Sequence, residues 1–128
     1  MATVVLIEDE AVLRQLVERE LTAVGHRVLS AADGQKGWDI LSREVPDVIL
    51  LDLMMPNMNG YEVLENLKND ERLHHVPCVV ISNSGQVADL NRAFELGASD
   101  VLIKTDFDAK QLVEKIDQLL EKRAASLL

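Results

Sequence analysis

An α/β fold, with a five-stranded parallel sheet and helices on both faces in a doubly wound (βα)5 arrangement, is what two features of this sequence predict. Five short apolar runs with β-branched bias alternate strictly with five segments of helical periodicity. The third run, Val48-Ile49-Leu50-Leu51, is apolar at every position, as in a strand buried on both faces in the middle of a parallel sheet. Strict alternation makes each connection a right-handed crossover that packs a helix back on the sheet. The rhythm carries no sequence-level repeat, so a solenoid is not expected.

The elements follow in order. Thr3 to Ile7 is the first strand, cut off by Glu8-Asp9-Glu10. The first helix places Leu13, Leu16, Val17, Leu21 and Val24 at three-and-four spacing, with Gly25 as its C-terminal stop. His26 to Ala31 is a shorter, more polar strand, and therefore nearer an edge. Asp33-Gly34 marks a turn, and the second helix carries Trp38, Ile40 and Leu41 before Pro46. The third strand runs from Asp47 to Leu51. After the turn-like Asn57-Met58-Asn59-Gly60, the third helix carries Val63, Leu64 and Leu67. Cys78 to Ile81 is the fourth strand, and the fourth helix shows Val87, Leu90, Ala93 and Phe94 and stops at Gly97. Asp100 to Ile103 is the fifth strand. The last helix carries Leu112, Val113, Ile116, Leu119 and Leu120, with Asp106 or Asp108 as its N-cap, and Arg123 to Leu128 reads as a frayed tail.

The composition sets bounds on function. With 128 residues, 48% hydrophobic and 27% charged, the chain suits one globular domain. A formal charge of −9 disfavours direct binding to nucleic acid or to an anionic membrane, which both need clustered positive charge. One cysteine forms no internal disulfide, and no apolar run approaches the length of a membrane span. The expected address is the cytoplasm.

The chemistry gathers at the strand ends. Glu8 and Asp9 follow the first strand, Asp52 the third, Ser82 the fourth and Lys104 the fifth. Open α/β sheets bind ligands outside the carboxyl ends of their strands. If the first, third, fourth and fifth strands are neighbours, these five residues share one rim. Three carboxylates then make an all-oxygen site suited to Mg²⁺. The lysine and the hydroxyl could hold phosphoryl oxygens by charge and hydrogen bond. Asp52, between them, is placed to accept a phosphoryl group as an aspartyl phosphate.

With these residues in order, the sequence resembles the response-regulator receiver domains of two-component signalling, of the single-domain type. Leu51-Asp52-Leu53-Met54-Met55-Pro56 with Asn59-Gly60 is similar to the most recognisable stretch of that family. The likeness implies a receiver domain over residues 1–122 and a C-terminal tail over residues 123–128. It also implies the flavodoxin-like strand order 2-1-3-4-5. Glu8 and Asp9 would hold Mg²⁺ with Asp52 and the backbone carbonyl of Met54. Asp52 would take its phosphoryl group from a histidine kinase or a histidine phosphotransfer protein, and Ser82 and Lys104 would engage the phosphoryl oxygens. The surface of the fourth helix, fifth strand and fifth helix would then shift. The implied protein is a monomer or weak dimer, and its chemistry is limited to Mg²⁺-dependent self-phosphorylation and autodephosphorylation, with no turnover of a separate substrate. No output domain is expected after the last helix, so the chain would act by docking on a protein partner or by relaying phosphoryl groups, unless it is a fragment of a longer regulator.

Several positions depart from the family pattern. Glu8 stands where aspartate is usual, and its extra methylene suits a water-mediated role. Val101 replaces a frequent aromatic three residues before Lys104. Thr105 replaces the usual proline, which predicts a trans bond or a reshaped loop. Asn83 is larger than the residue often found after the hydroxyl. Val101 and Thr105 motivate an alternative, a phosphorylation-independent interaction module on the same fold. A phosphohydrolase with an aspartyl nucleophile would need a second acid where Met54 stands. Other singular residues have plainer readings: Cys78 as a small buried hydrophobe, His74-His75 as surface, Trp38 as packing, and Ser82 alternatively as a helix N-cap.

Overall fold

In the computed structural model, which describes residues 2–83, 86–104 and 108–126, strands and helices alternate as predicted. The strands are β1 (Thr3–Ile7), β2 (Arg27–Ala31), β3 (Val48–Asp52), β4 (Cys78–Ser82) and β5 (Asp100–Ile103). The helices are α1 (Ala11–Ala23), α2 (Gly34–Leu41), α3 (Gly60–Lys68), α4 (Val87–Glu95) and α5 (Ala109–Ser126). All strand pairs are parallel, in the order β2-β1-β3-β4-β5. The sequence order reverses at β1 and β3, and there the carboxyl ends of the strands open a crevice.

The two faces of the sheet follow from the two-residue period of a strand. Val5, Ile7, Ile49, Leu51 and Val80 point to one side, against Leu41 of α2, Leu64 and Leu67 of α3 and Ala93 of α4. Val4, Leu6, Val48, Leu50, Val79 and Ile81 point to the other, against Val17 and Leu21 of α1 and Leu112 and Ile116 of α5. Every residue of β3 and β4 is buried, whereas β2 and β5 at the edges are largely half-exposed.

Helix ends are set locally. Asp33 caps α2 by accepting from the Lys36 amide at 2.8 Å, and Asn59 caps α3 by accepting from the Glu62 amide at 3.0 Å. Gly25, at φ +95°, turns the chain out of α1, as the sequence predicts. The Asp108 carboxylate accepts from the Lys110 amide at 2.9 Å and its carbonyl from the Leu112 amide at 3.1 Å, so Asp108 starts α5. Thr105 and Asp106 lie outside the described residues, and with them the expected trans or reshaped bond after Lys104.

Some expectations are corrected. β2 begins at Arg27, one residue later than expected. β3 and β4 each run one residue further, so Asp52 and Ser82 are the last strand residues and not the first loop residues. Leu16 on α1 and Val24 at its C-cap, and Val87 and Phe94 on α4, are exposed, because three-and-four spacing draws a wider stripe than the sheet covers. Helix α5 continues through Ser126, and Arg123 donates from Nη1 to the Asp47 carbonyl at 2.9 Å, so most of the expected tail is helix.

Candidate functional site

Four strand ends deliver the site. The Glu8 amide donates to the Ala31 carbonyl at 3.0 Å, carrying the β1–β2 ladder one step past β1. The Glu8 side chain is completely buried. Its Oε2 accepts from the Glu10 amide at 3.0 Å and from Lys104 Nζ at 3.2 Å, while Oε1 lies 2.9 Å from the same Nζ. Asp9 is exposed at the rim. Asp52, 1% exposed, pairs in register with Ile81 of β4. Its Oδ1 accepts from the Met54 amide at 3.3 Å, and Oδ2 lies 3.3 Å from Lys104 Nζ. Lys104 leaves the end of β5, and its ammonium sits between the two buried carboxylates. Ser82, one residue beyond Ile81, is buried at the end of β4.

One ligand oxygen from each of Glu8, Asp9 and Asp52 lies within 4.8 Å of the others. Two of the buried oxygens, Glu8 Oε1 and Asp52 Oδ2, accept no hydrogen bond of good geometry. The Lys104 charge offsets part of their desolvation, but buried carboxylate oxygens are seldom left without a hydrogen bond. Clustered hard oxygens with free lone pairs are what a small divalent cation requires, so the residues present fit Mg²⁺.

The electrostatics agree. Burial, hydrogen bonding with the Asp9 and Glu8 carboxylates, and the Glu8 charge push Asp52 up to about 8, against the pull of Lys104. Asp9 moves the other way, below the ordinary aspartate value: burial opposes the shift, and hydrogen bonds with Asp52 and Glu8 and the Lys104 charge outweigh it. Without a metal the acid cluster therefore keeps a proton on Asp52. Burial favours neutral Lys104, but Glu8 and Asp52 raise its pKa and hold it charged.

Every sequence-predicted side chain of the site lies at this rim, and the carboxylates and Lys104 converge. Glu8 pairs directly with Lys104. Ser82 is not the cap of α4; Gln86 holds that position without a side-chain cap bond. Met54 has an exposed side chain, and Asn83 is exposed beside Ser82. Cys78 is buried, with burial pushing its thiol up to about 12; His74 and His75 are exposed, and Trp38 packs on the core.

Four residues escaped the sequence reading. Glu10 places Oε1 3.6 Å from Lys104 Nζ, and Arg14 donates from Nη1 to the Glu8 carbonyl at 2.9 Å. Asp33 is buried, and Asn57 donates from Nδ2 to its Oδ2 at 3.4 Å. Glu10 was visible in the acidic run. Arg14, Asp33 and Asn57 carried no signal beyond helix and turn chemistry.

Residues 4–117 match the response regulator receiver domain family. The chain is a response regulator receiver domain. The family is one of two-component signalling switches, not of substrate-turnover enzymes. The receiver domain is 34% identical to the DNA-binding dual master transcriptional regulator RpaA of Synechocystis, over 95% of this chain and 50% of that protein. It is 35% identical to the Regulator of RpoS of Escherichia coli, over 88% of this chain and 33% of that protein. The chain thus spans about half or less of the length of these relatives. Among solved structures, the chemotaxis response regulator CheY4 of Vibrio cholerae superposes with a TM-score of 0.87 at 25% identity, over 93% of this chain and 98% of that one. The receiver domain of the sensor histidine kinase PA1611 of Pseudomonas aeruginosa, with a magnesium ion coordinated in its active-site cleft, gives 0.86 at 25% identity, over 94% and 98%. Among the described residues no helix is long and apolar enough to cross a membrane.

Proposed function

We propose that this receiver domain is a phosphoacceptor switch in a two-component phosphorelay. Asp52 takes a phosphoryl group from a histidine kinase or histidine phosphotransfer protein, and Glu8, Asp9, Asp52 and the Met54 backbone carbonyl hold Mg²⁺. The observation that carries this reading is the pair of buried carboxylate oxygens, Glu8 Oε1 and Asp52 Oδ2, that flank Lys104 without accepting a hydrogen bond. The magnesium ion in the PA1611 cleft supports the choice of metal.

In the transfer, an Asp52 carboxylate oxygen bonds to phosphorus as the P–N bond of the donor phosphohistidine breaks, and the bonding pair stays on the imidazole nitrogen. Asp52 must be ionised for this, and its raised pKa means that a proton has to leave first. Mg²⁺ held by Glu8, Asp9, Asp52 and the Met54 carbonyl would supply positive charge that favours the ionised Asp52 carboxylate and offsets the phosphoryl oxygens. Lys104, already held at Asp52, supplies a second positive charge, and the Ser82 hydroxyl donates a hydrogen bond to the phosphoryl group. The added charge then shifts the surface of α4, β5 and α5. Val101 in β5 is half-buried and aliphatic, so no rotating ring at this position carries the shift.

The test is incubation with acetyl phosphate and Mg²⁺, followed by assay for acid-labile phosphate. Wild type should incorporate phosphate and Asp52→Asn should not. If wild type gains none, or the variant gains as much, the reading fails. Partner binding that survives Asp52→Ala unchanged would favour the phosphorylation-independent interaction module.

A further inference from the structure

The loop that follows Asp52 is held from outside by the turn at the end of edge strand β2. The Gly60 amide donates to the Leu53 carbonyl at 2.9 Å, closing residues 53–60 into a tight excursion from the end of β3. Leu53 and Met55 are anchored in the core, and Asn59 is fixed as the cap of α3. Between these anchors Asn57 has φ +62°, in the left-handed well that asparagine tolerates better than most residues, and Met58 has φ +135°, outside that well, where a bulky side chain is strained. Strain of this kind persists only where the surroundings impose it.

What imposes it comes from β2–α2. The Met58 carbonyl packs so closely on Gly34 that a Cβ there would lie 2.0 Å from the carbonyl oxygen. Asp33 beside it is buried; one carboxylate oxygen caps α2, and the other accepts the Asn57 amide at 3.4 Å. Asp33 lies below the ordinary aspartate value, chiefly through the Lys36 amide and with a further contribution from Asn57, so it is an ionised acceptor for both. Met54 sits on the same loop, with its amide on Asp52 Oδ1.

We propose that Asp33 and Gly34 are positioning residues for the phosphoacceptor loop: by holding Asn57 in its left-handed conformation and Met58 in its strained one, they fix the Met54 carbonyl where the metal site needs it. This rests on the reading of Glu8, Asp9, Asp52 and Met54 as the Mg²⁺ site. It brings the end of β2, the one strand end without an assigned role, into the machinery.

The experiment is a Mg²⁺ titration of the full chain by calorimetry, with thermal melts in EDTA alongside. Asp33→Ser keeps an α2 cap and loses the reach to Asn57; Asn57→Gly accepts positive φ without strain and loses the amide. Both are expected to bind Mg²⁺ about tenfold more weakly, the low end for groups that support a metal ligand from behind, with melting temperatures close to wild type. The reciprocal exchange Asp33→Asn with Asn57→Asp rebuilds the hydrogen bond with its polarity reversed, since the introduced asparagine still offers an oxygen to the Lys36 amide, and should restore most of the affinity. Unchanged affinity in both single variants, with wild type binding normally, overturns the positioning role and leaves the metal site standing. Weakened single variants without rescue by the exchange also overturn it. A wild type that takes up no Mg²⁺ overturns the metal site and the positioning role together.

Discussion

Asp52 gives up stability in order to be reactive. It is a buried carboxylate with one oxygen unsatisfied, next to Glu8 and Asp9, and Lys104 compensates only in part. Because its folded-state pKa is raised to about 8, its contribution to stability is present in acid and is lost as the pH climbs from about 4 through about 8. In EDTA, Asp52→Asn should therefore gain on wild type as the pH rises, by up to about 5 kcal/mol at pH 8 before solvent screening reduces it, and by next to nothing near pH 4. Denaturant melts of the two proteins across that range give the difference directly, and a difference that does not vary with pH would show that Asp52 is not held protonated. Gly60 is constrained by the same strand end. The sequence marks it as a turn residue, but the reason it must lack a side chain is tertiary: a Cβ would lie 2.4 Å from the Asp52 carbonyl oxygen.

Among the helices, α3 and α4 contrast most. α3 buries Tyr61, Val63, Leu64 and Leu67 behind an Asn59 cap, whereas α4 buries only Ala93 and has no side-chain cap. The helical spacing of Val87, Leu90, Ala93 and Phe94 is present in the sequence, yet Val87 is 71% exposed. Periodicity says that one face is apolar, and only packing says how much of that face the sheet covers. The Arg92 guanidinium lies 3.9 Å from the centre of the Tyr61 ring, tying α4 to α3 at a surface where such contacts contribute roughly 0.5–1 kcal/mol. Amide hydrogens of α4 should thus exchange at least about tenfold faster than those of α3, and Arg92→Ala should speed α4 further while leaving α3 unchanged. Hydrogen exchange read by mass spectrometry checks both. Equal protection of the two helices would remove α4 as the loosely held element that a switch requires.

Taken across the entire domain, a net charge of −9 coexists with three carboxylates gathered at one rim. Salt in general relieves such self-repulsion, so stabilisation by Mg²⁺ becomes informative only at matched ionic strength. Against a sodium chloride control, millimolar Mg²⁺ should raise the melting temperature of wild type by several degrees at pH 7.5, by mass action on the folded state. The gain should shrink at pH 6, where the proton on Asp52 competes more strongly, and should be largely absent in Asp52→Asn. Equal shifts for magnesium and sodium would assign the effect to screening alone.

Local pattern is enough to specify the alternation of strands and helices, the buried middle of the sheet at Val48 to Leu51, and the residues that reach the carboxyl rim. The signals are period two in a strand, three-and-four spacing in a helix, and a polar residue wherever an apolar run stops. Strand order was legible only through family likeness, because a crossover's length and hand leave its landing place open. Three features came from the folded arrangement instead: Glu8 is buried against Lys104, α4 is left half-uncovered, and the Asp33-Gly34 turn grips the loop after Asp52. Each of those depends on distances between segments far apart in the chain, which no local pattern encodes. Asp33-Gly34 reads as an ordinary turn until Met58 is seen resting on it.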